Sequence, residues 1–141
     1  MNRVLVLLVV ATVIAASCSL LRTPTTGGGE PPRPIDIPTS ALVPPDIDTI
    51  EGGIRLEGLC LLLDGPGDDV IPIWPSGYNA SSGSRFLGLR NASNDESMFA
   101  AGGEALELHG EWVDVPPPDT RVPVACAGYR LFHVREAFNR S

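Results

Sequence analysis

Gly53-Ile54-Arg55-Leu56-Glu57-Gly58-Leu59-Cys60-Leu61-Leu62-Leu63 is the stretch that decides the fold. It opens with apolar Ile54 and Leu56 alternating with charged Arg55 and Glu57, the period of two that marks a half-buried strand. From Leu59 it becomes apolar on both faces, as in a strand entering a closed core. Asp64 to Asp69 is a turn by composition, with Gly65, Pro66 and Gly67 inside it. Val70-Ile71-Pro72-Ile73-Trp74 reads as the returning strand. Pro72 cannot donate to a ladder, so it predicts an edge or a bulge there.

Working outward, Pro75 to Ser84 reads as a polar loop and Arg85 to Arg90 as a third strand. Asn91 to Glu96 turns, and Ser97 to Ala101 is a weak fourth strand. Glu104 to Val113 alternates cleanly, with Leu106, Leu108 and Trp112 on one face and Glu107, His109 and Glu111 on the other. Pro116-Pro117-Pro118-Asp119 reads as an exposed loop. Val122 to Cys126 and Tyr129 to Val134 read as the closing strands. Gly and Pro together number 29, which argues against a helical bundle. The reading is an all-β domain over 50–137, either a small barrel (OB-like) or a sandwich, of about five to seven short antiparallel strands.

The formal charge is −7, from seventeen acids and ten arginines, with no lysine. A chain this acidic repels phosphate backbones, so no nucleic-acid partner is expected.

Residues 1–17 have the form of an export leader. Arg3 supplies the positive end, and Val4–Ala16 is a run of thirteen almost wholly apolar residues. A membrane span needs about 20, so this run is short for one. Ala15-Ala16-Ser17-Cys18 follows, with the small residues that a signal peptidase accepts before its cut. This segment resembles the lipobox of bacterial lipoproteins, with Ala15 in place of the usual leucine. The resemblance covers the leader only. It implies a diacylglyceryl group on the Cys18 thiol, membrane attachment through that lipid, and a place on the extracytoplasmic face of a bacterial cell membrane. Plain secretion after cleavage is one alternative. A single-pass anchor left uncleaved and running on through Leu20-Leu21 is another.

Residues 18–49 contain Thr23-Pro24-Thr25-Thr26-Gly27-Gly28-Gly29, then Pro31-Pro32-Arg33-Pro34, Pro38 and Pro44-Pro45. Prolines cannot donate to a ladder and glycines lose much entropy on ordering, so the lipidated cysteine is expected to lead into a disordered tether. A coil of about thirty residues would reach roughly 30 Å. With Cys18 at the leader boundary, Cys60 and Cys126 remain as a pair, which in an exported chain reads as a disulfide. Two free thiols are the alternative. The bridge would close a loop of about 67 residues, worth roughly 4 kcal/mol in the chain-entropy model.

Gly58-Leu59-Cys60, Pro72-Ile73-Trp74-Pro75, Gly102-Gly103 and Cys126 followed by Tyr129 together resemble a loosely defined set of small bacterial lipoprotein domains. That resemblance carries no activity with it.

Catalysis needs a base beside a nucleophile or a metal. His109 and His133 are the only histidines. Neither has a paired thiol or a carboxylate cluster at ligand spacing, so no metal and no cofactor are expected. Asp64, Asp68 and Asp69 crowd a turn without the spacing of a calcium loop. Trp74 and Tyr78 stand at a strand end beside the polar loop, where amphipathic rings could pack against the barrel mouth or receive a ligand. The function expected is a non-enzymatic envelope lipoprotein, a binding or structural module whose partner is another envelope protein or a glycan. The alternative is a metal-dependent or hydrolytic envelope enzyme.

Overall fold

The computed structural model describes residues 30–65, 67–84, 86–92, 96–99 (backbone alone) and 105–140. The leader, Cys18, the first part of the tether and Gly102-Gly103 lie outside the described residues. The strands are β1 (Arg33–Ile35), β2 (Thr39–Ser40), β3 (Asp48–Glu57), β4 (Cys60–Asp64) and β5 (Asp69–Pro75). They continue as β6 (Tyr78–Ser82), β7 (Leu87–Asn91), β8 (Glu96–Phe99), β9 (Ala105–Val113) and β10 (Arg130–Arg140). Among the described residues there is no α-helix, and a 3-10 turn spans Val124–Cys126.

The pairings close a ring. β3, β4 and β5 form an antiparallel meander. β5 then pairs in parallel with β10, β10 antiparallel with β9, and β9 antiparallel with β3. Five strands in the order β3-β4-β5-β10-β9 return to β3, which selects the barrel over the sandwich and has the connectivity of an OB fold. β6, β7 and β8, inserted between β5 and β9, form a second, four-stranded sheet with β1 from before the barrel, and β2 lies alongside the end of β5.

Closure depends on β3 changing partners midway. Asp48 to Gly53 pair with β9, whereas Ile54 to Glu57 pair with β4. The change falls at Gly52-Gly53. A Cβ on Gly52 would collide with the Asp64 carbonyl oxygen, so only glycine lets β3 turn this corner against β4. Gly110 on β9 plays the same part against the His133 carbonyl of β10.

Side-chain alternation then sorts the residues between two cores. Ile50, Ile54, Leu61, Leu63, Trp74 and Phe132 fill the barrel interior. Cys60, Leu62 and Ile71 point outward, yet they are buried with Cys126 in a second cluster, against Val122, Tyr129 and Leu131. This accounts for the two-faced run at Leu59–Leu63: Leu61 and Leu63 face in, and Leu62 faces out beneath a covering loop. Pro72 lies past Leu63↔Val70, where the β4 ladder has ended, so its missing N–H falls at a local edge, as its position in the sequence predicted.

Arg55 ties the β4–β5 turn of the meander. Its Nε donates to Asp64 Oδ1 at 2.7 Å, and its guanidinium also bonds Glu57 and Asp69. The turn acids are therefore held by a cation from β3. Their partner raises its own pKa, through Glu57 first and Asp64 next.

Four expectations are corrected. The disorder expected over 18–49 does not hold in its described part, where Arg33–Ile35 pair with Ser82–Ala80 and Thr39–Ser40 pair with Trp74–Pro75. Ile37 packs into the barrel core, and the Pro38 carbonyl accepts the Trp74 N–H at 2.9 Å. The prolines here sit in very short edge strands and their connections, where a missing donor costs little. The polar stretch 75–84 contains a strand, β6. Val122–Cys126 is a loop with a 3-10 turn and no strand. The last strand runs to Arg140, beyond the expected boundary at 137.

Candidate functional site

Residues 114–129 join β9 to β10 as a long strap over the outer face of β4 and β5. The strap is fastened at two points. At the first, Asp119 Oδ1 accepts the Ser40 hydroxyl at 2.8 Å, and Oδ2 accepts the Ala41 N–H at 2.7 Å. Thr120 adds a bond from its hydroxyl to the Thr39 carbonyl at 3.1 Å. The Ser40 hydroxyl, and after it the Ala41 N–H, hold the Asp119 carboxyl below its ordinary range. At the second point Cys126 is disulfide-bonded to Cys60, with their Cα atoms 5.6 Å apart. The expected pairing is therefore present. Gly128, at φ +99°, turns the strap into β10, a conformation that a side chain would disfavour.

Between the strap and the β9–β10 corner lies an open cleft of about 600 Å³, whose lining includes Trp112, Asp114, Val122, Tyr129 and Arg130. Trp112 is held from two sides. Phe132 meets it edge-on at 5.2 Å, and the Arg130 guanidinium lies 3.8 Å from its ring centroid. Stacking of this kind orients the guanidinium plane and leaves its N–H edge available. Around the strap, Leu59, Val115 and Val124 are 71, 75 and 91 % exposed. Of these, Val124 is part of the cleft's own lining.

Trp74 and Tyr78 are brought together, with their rings stacked at 5.5 Å, but they form no exposed patch. Trp74 is fully buried in the barrel core, and Tyr78 packs against that core half-buried. Of the two readings, packing describes Trp74, and the possible ligand patch at Trp74 and Tyr78 is corrected. It faces inward because β5 places Val70, Pro72 and Trp74 on alternate positions, and the inner face of a closed barrel must be filled.

The histidines go to different places. His133 lies buried on β10. His109 is half-buried on β9, with Nε2 2.7 Å from Glu107 Oε1 and Nδ1 3.5 Å from Asp46 Oδ1. Arg140 Nε donates to the other Glu107 oxygen at 2.6 Å. The carboxylates therefore flank the imidazole from two sides and do not converge on one point. Among the described residues no group of three or more His, Cys, Asp or Glu is disposed to hold a metal ion.

Glu107, and more weakly Asp46, raise the His109 pKa above its ordinary value. A raised value means that the fold favours the imidazolium. The stabilisation is complete below the unfolded pKa of about 6.5 and is lost as pH rises through the higher folded value. The His109 ring resonances are expected to titrate with a midpoint above 6.5, and the midpoint should move down in Glu107→Gln. A midpoint at or below the ordinary value in the unaltered chain would show that the pair does not form in solution.

Fold and strap together define a small disulfide-closed barrel of OB connectivity, with its β4–β5 outer face covered by its own chain. Compared with known proteins, the chain matches no family model, no curated protein and no solved structure. The cleft was not visible in the sequence as a site. Its one signal is that Trp112 and Tyr129-Arg130 flank a long connection, which brings two aromatic rings and a cation to the same hairpin mouth.

Proposed function

We propose that this protein is a lipid-anchored module of the bacterial cell envelope, attached through Cys18 at the extracytoplasmic face of the membrane. The barrel is a binding module, and the strap cleft is the surface it presents to another envelope component. The observation that carries the reading is the Cys60–Cys126 bond. Such bonds persist in oxidising compartments, which is where a leader ending in Ala15-Ala16-Ser17-Cys18 would deliver the chain. The cleft supports the binding role: it joins apolar walls, an oriented cation and exposed aliphatic side chains without a base placed beside a nucleophile.

The anchor is tested by Cys18→Ser. Lipoproteins hold to membranes through two or more acyl chains, each contributing roughly 0.8 kcal/mol per buried methylene. The variant should lose acyl labelling and move from the membrane to the soluble fraction. If it stays in the membrane like the unaltered chain, the lipid anchor is wrong and the leader acts as an uncleaved span. Photocrosslinking in intact cells from a reactive residue at position 124 tests the binding role, and an absence of crosslinked partners would overturn it.

A further inference from the structure

Arg130 and Asp114 line the same cleft, and neither has an ionic partner among the described residues. Leu131↔Val113 is the last pair of the β9–β10 ladder, and Arg130 and Asp114 are the residues next to it in the chain, at the cleft. Arg130 lies back over Trp112, its guanidinium 3.8 Å from the ring centroid. Other arginines on the barrel spend their charge: Arg55 on Glu57, Asp64 and Asp69, and Arg140 on Glu107. The cleft thus keeps one anion and one oriented cation exposed at its mouth, with Val122 and Ala127 as small apolar lining.

We propose that the cleft binds a short zwitterionic peptide of small apolar residues. Its carboxylate would take the in-plane N–H edge of Arg130, whose fork matches two carboxylate oxygens. Its ammonium would take the Asp114 carboxylate, and its small side chains would lie against the apolar lining. A ligand with no net charge also escapes the long-range repulsion that a protein of net charge −7 exerts on anions. A cleft of about 600 Å³ is of the size that holds small molecules. This inference rests on the reading of the strap cleft as a binding surface.

The test uses the full chain in detergent micelles and Ala-Ala as the probe. Trp74 and Trp112 are the two tryptophans, and Trp74 is buried, so an emission change reports on the cleft. Ala-Ala should change the emission saturably. Amidating its carboxylate or acetylating its amine should each weaken binding at least ten-fold. Arg130→Gln should weaken Ala-Ala ten-fold and leave the amide unaffected, whereas Asp114→Asn should do the same for the free and the acetylated forms respectively. Free alanine and Ala-Ala-Ala, run beside it, measure how much of the cleft the ligand fills, and the tripeptide should bind at least as tightly as alanine. No saturable response, or equal binding of blocked and unblocked dipeptides, overturns the proposal. If that happens while crosslinks from position 124 persist, the ligand class fails and the binding surface stands. If both are absent, the two fall together.

Discussion

Replacing both Cys60 and Cys126 with alanine is expected to lower the unfolding free energy by about 4 kcal/mol, most of it through the unfolded chain. The bridge joins residues separated by 66 positions, so its loss frees a long loop in the unfolded ensemble. Alanine is the better substitution than serine. Both sites are buried among Leu62 and Ile71, where a hydroxyl would lack a partner. Denaturant unfolding of the two chains measures the difference. The loss should also be local before it is global. Between Val122 and Tyr129 only Cys126 is buried, so the strap depends on that residue for its hold on β4. Amide exchange in this stretch should accelerate while the barrel ladders stay protected. A stability change under about 1 kcal/mol would mean that the unfolded chain gains little freedom when the bridge is removed.

Trp74→Ala is expected to cost about 3–5 kcal/mol, the range for removing a large aromatic side chain from a core. The ring is fully buried and stacked on Tyr78. Trp74 sits in the closed core among Ile37, Ile54, Leu63 and Phe132, with β2 paired to its backbone through Thr39. Trp74→Phe is expected to cost clearly less. Its Nε1 makes no hydrogen bond among the described atoms, so phenylalanine loses volume without orphaning a partner. The pair of variants separates packing from ligand contact. A tryptophan serving a surface patch would leave stability within about 0.5 kcal/mol when removed.

The parts of the fold that were legible in the sequence are those where one physical signal acted alone. In β9 the alternation from Leu106 to Trp112 had one wet face and one dry face, and it could only be a strand. The two-faced run after Leu59 was legible as a buried strand, though not the reason for it, which is the strap lying over Leu62. The cysteine pairing followed from an even count once Cys18 was set aside. Elsewhere two signals competed. Pro31 to Pro45 reads as a coil by composition, yet Ile35, Ile37 and Ser40 find burial against the barrel, and tertiary contact decides. β6, Tyr78 to Ser82, is polar because it belongs to the smaller sheet, and of its own residues only Ala80 is buried. Val122 to Cys126 has the residues of a strand and lies across strands instead, fixed there by a covalent bond that no propensity encodes. The candidate site was the least legible part. The cleft arises because β9 and β10 bring Trp112 and Arg130 together across a connection, and the loop sequence between them does not reveal how it folds back.

The ring of the barrel closes through its latest strand, and this bears on how the chain acquires its structure. β10 contributes the parallel edge to β5, pairing Arg130–His133 with Val70–Ile73 across most of the domain. β9 likewise reaches back to the first half of β3. β3 and β4 are joined by a two-residue turn, but their apolar faces stay open until both late strands arrive. Chains dominated by such distant pairings fold slowly, on the order of milliseconds to seconds. Through that interval Leu61, Leu62 and Leu63 remain accessible to any other apolar surface nearby. The protein is therefore most vulnerable to aggregation during its own assembly, between the arrival of β5 and the docking of β10.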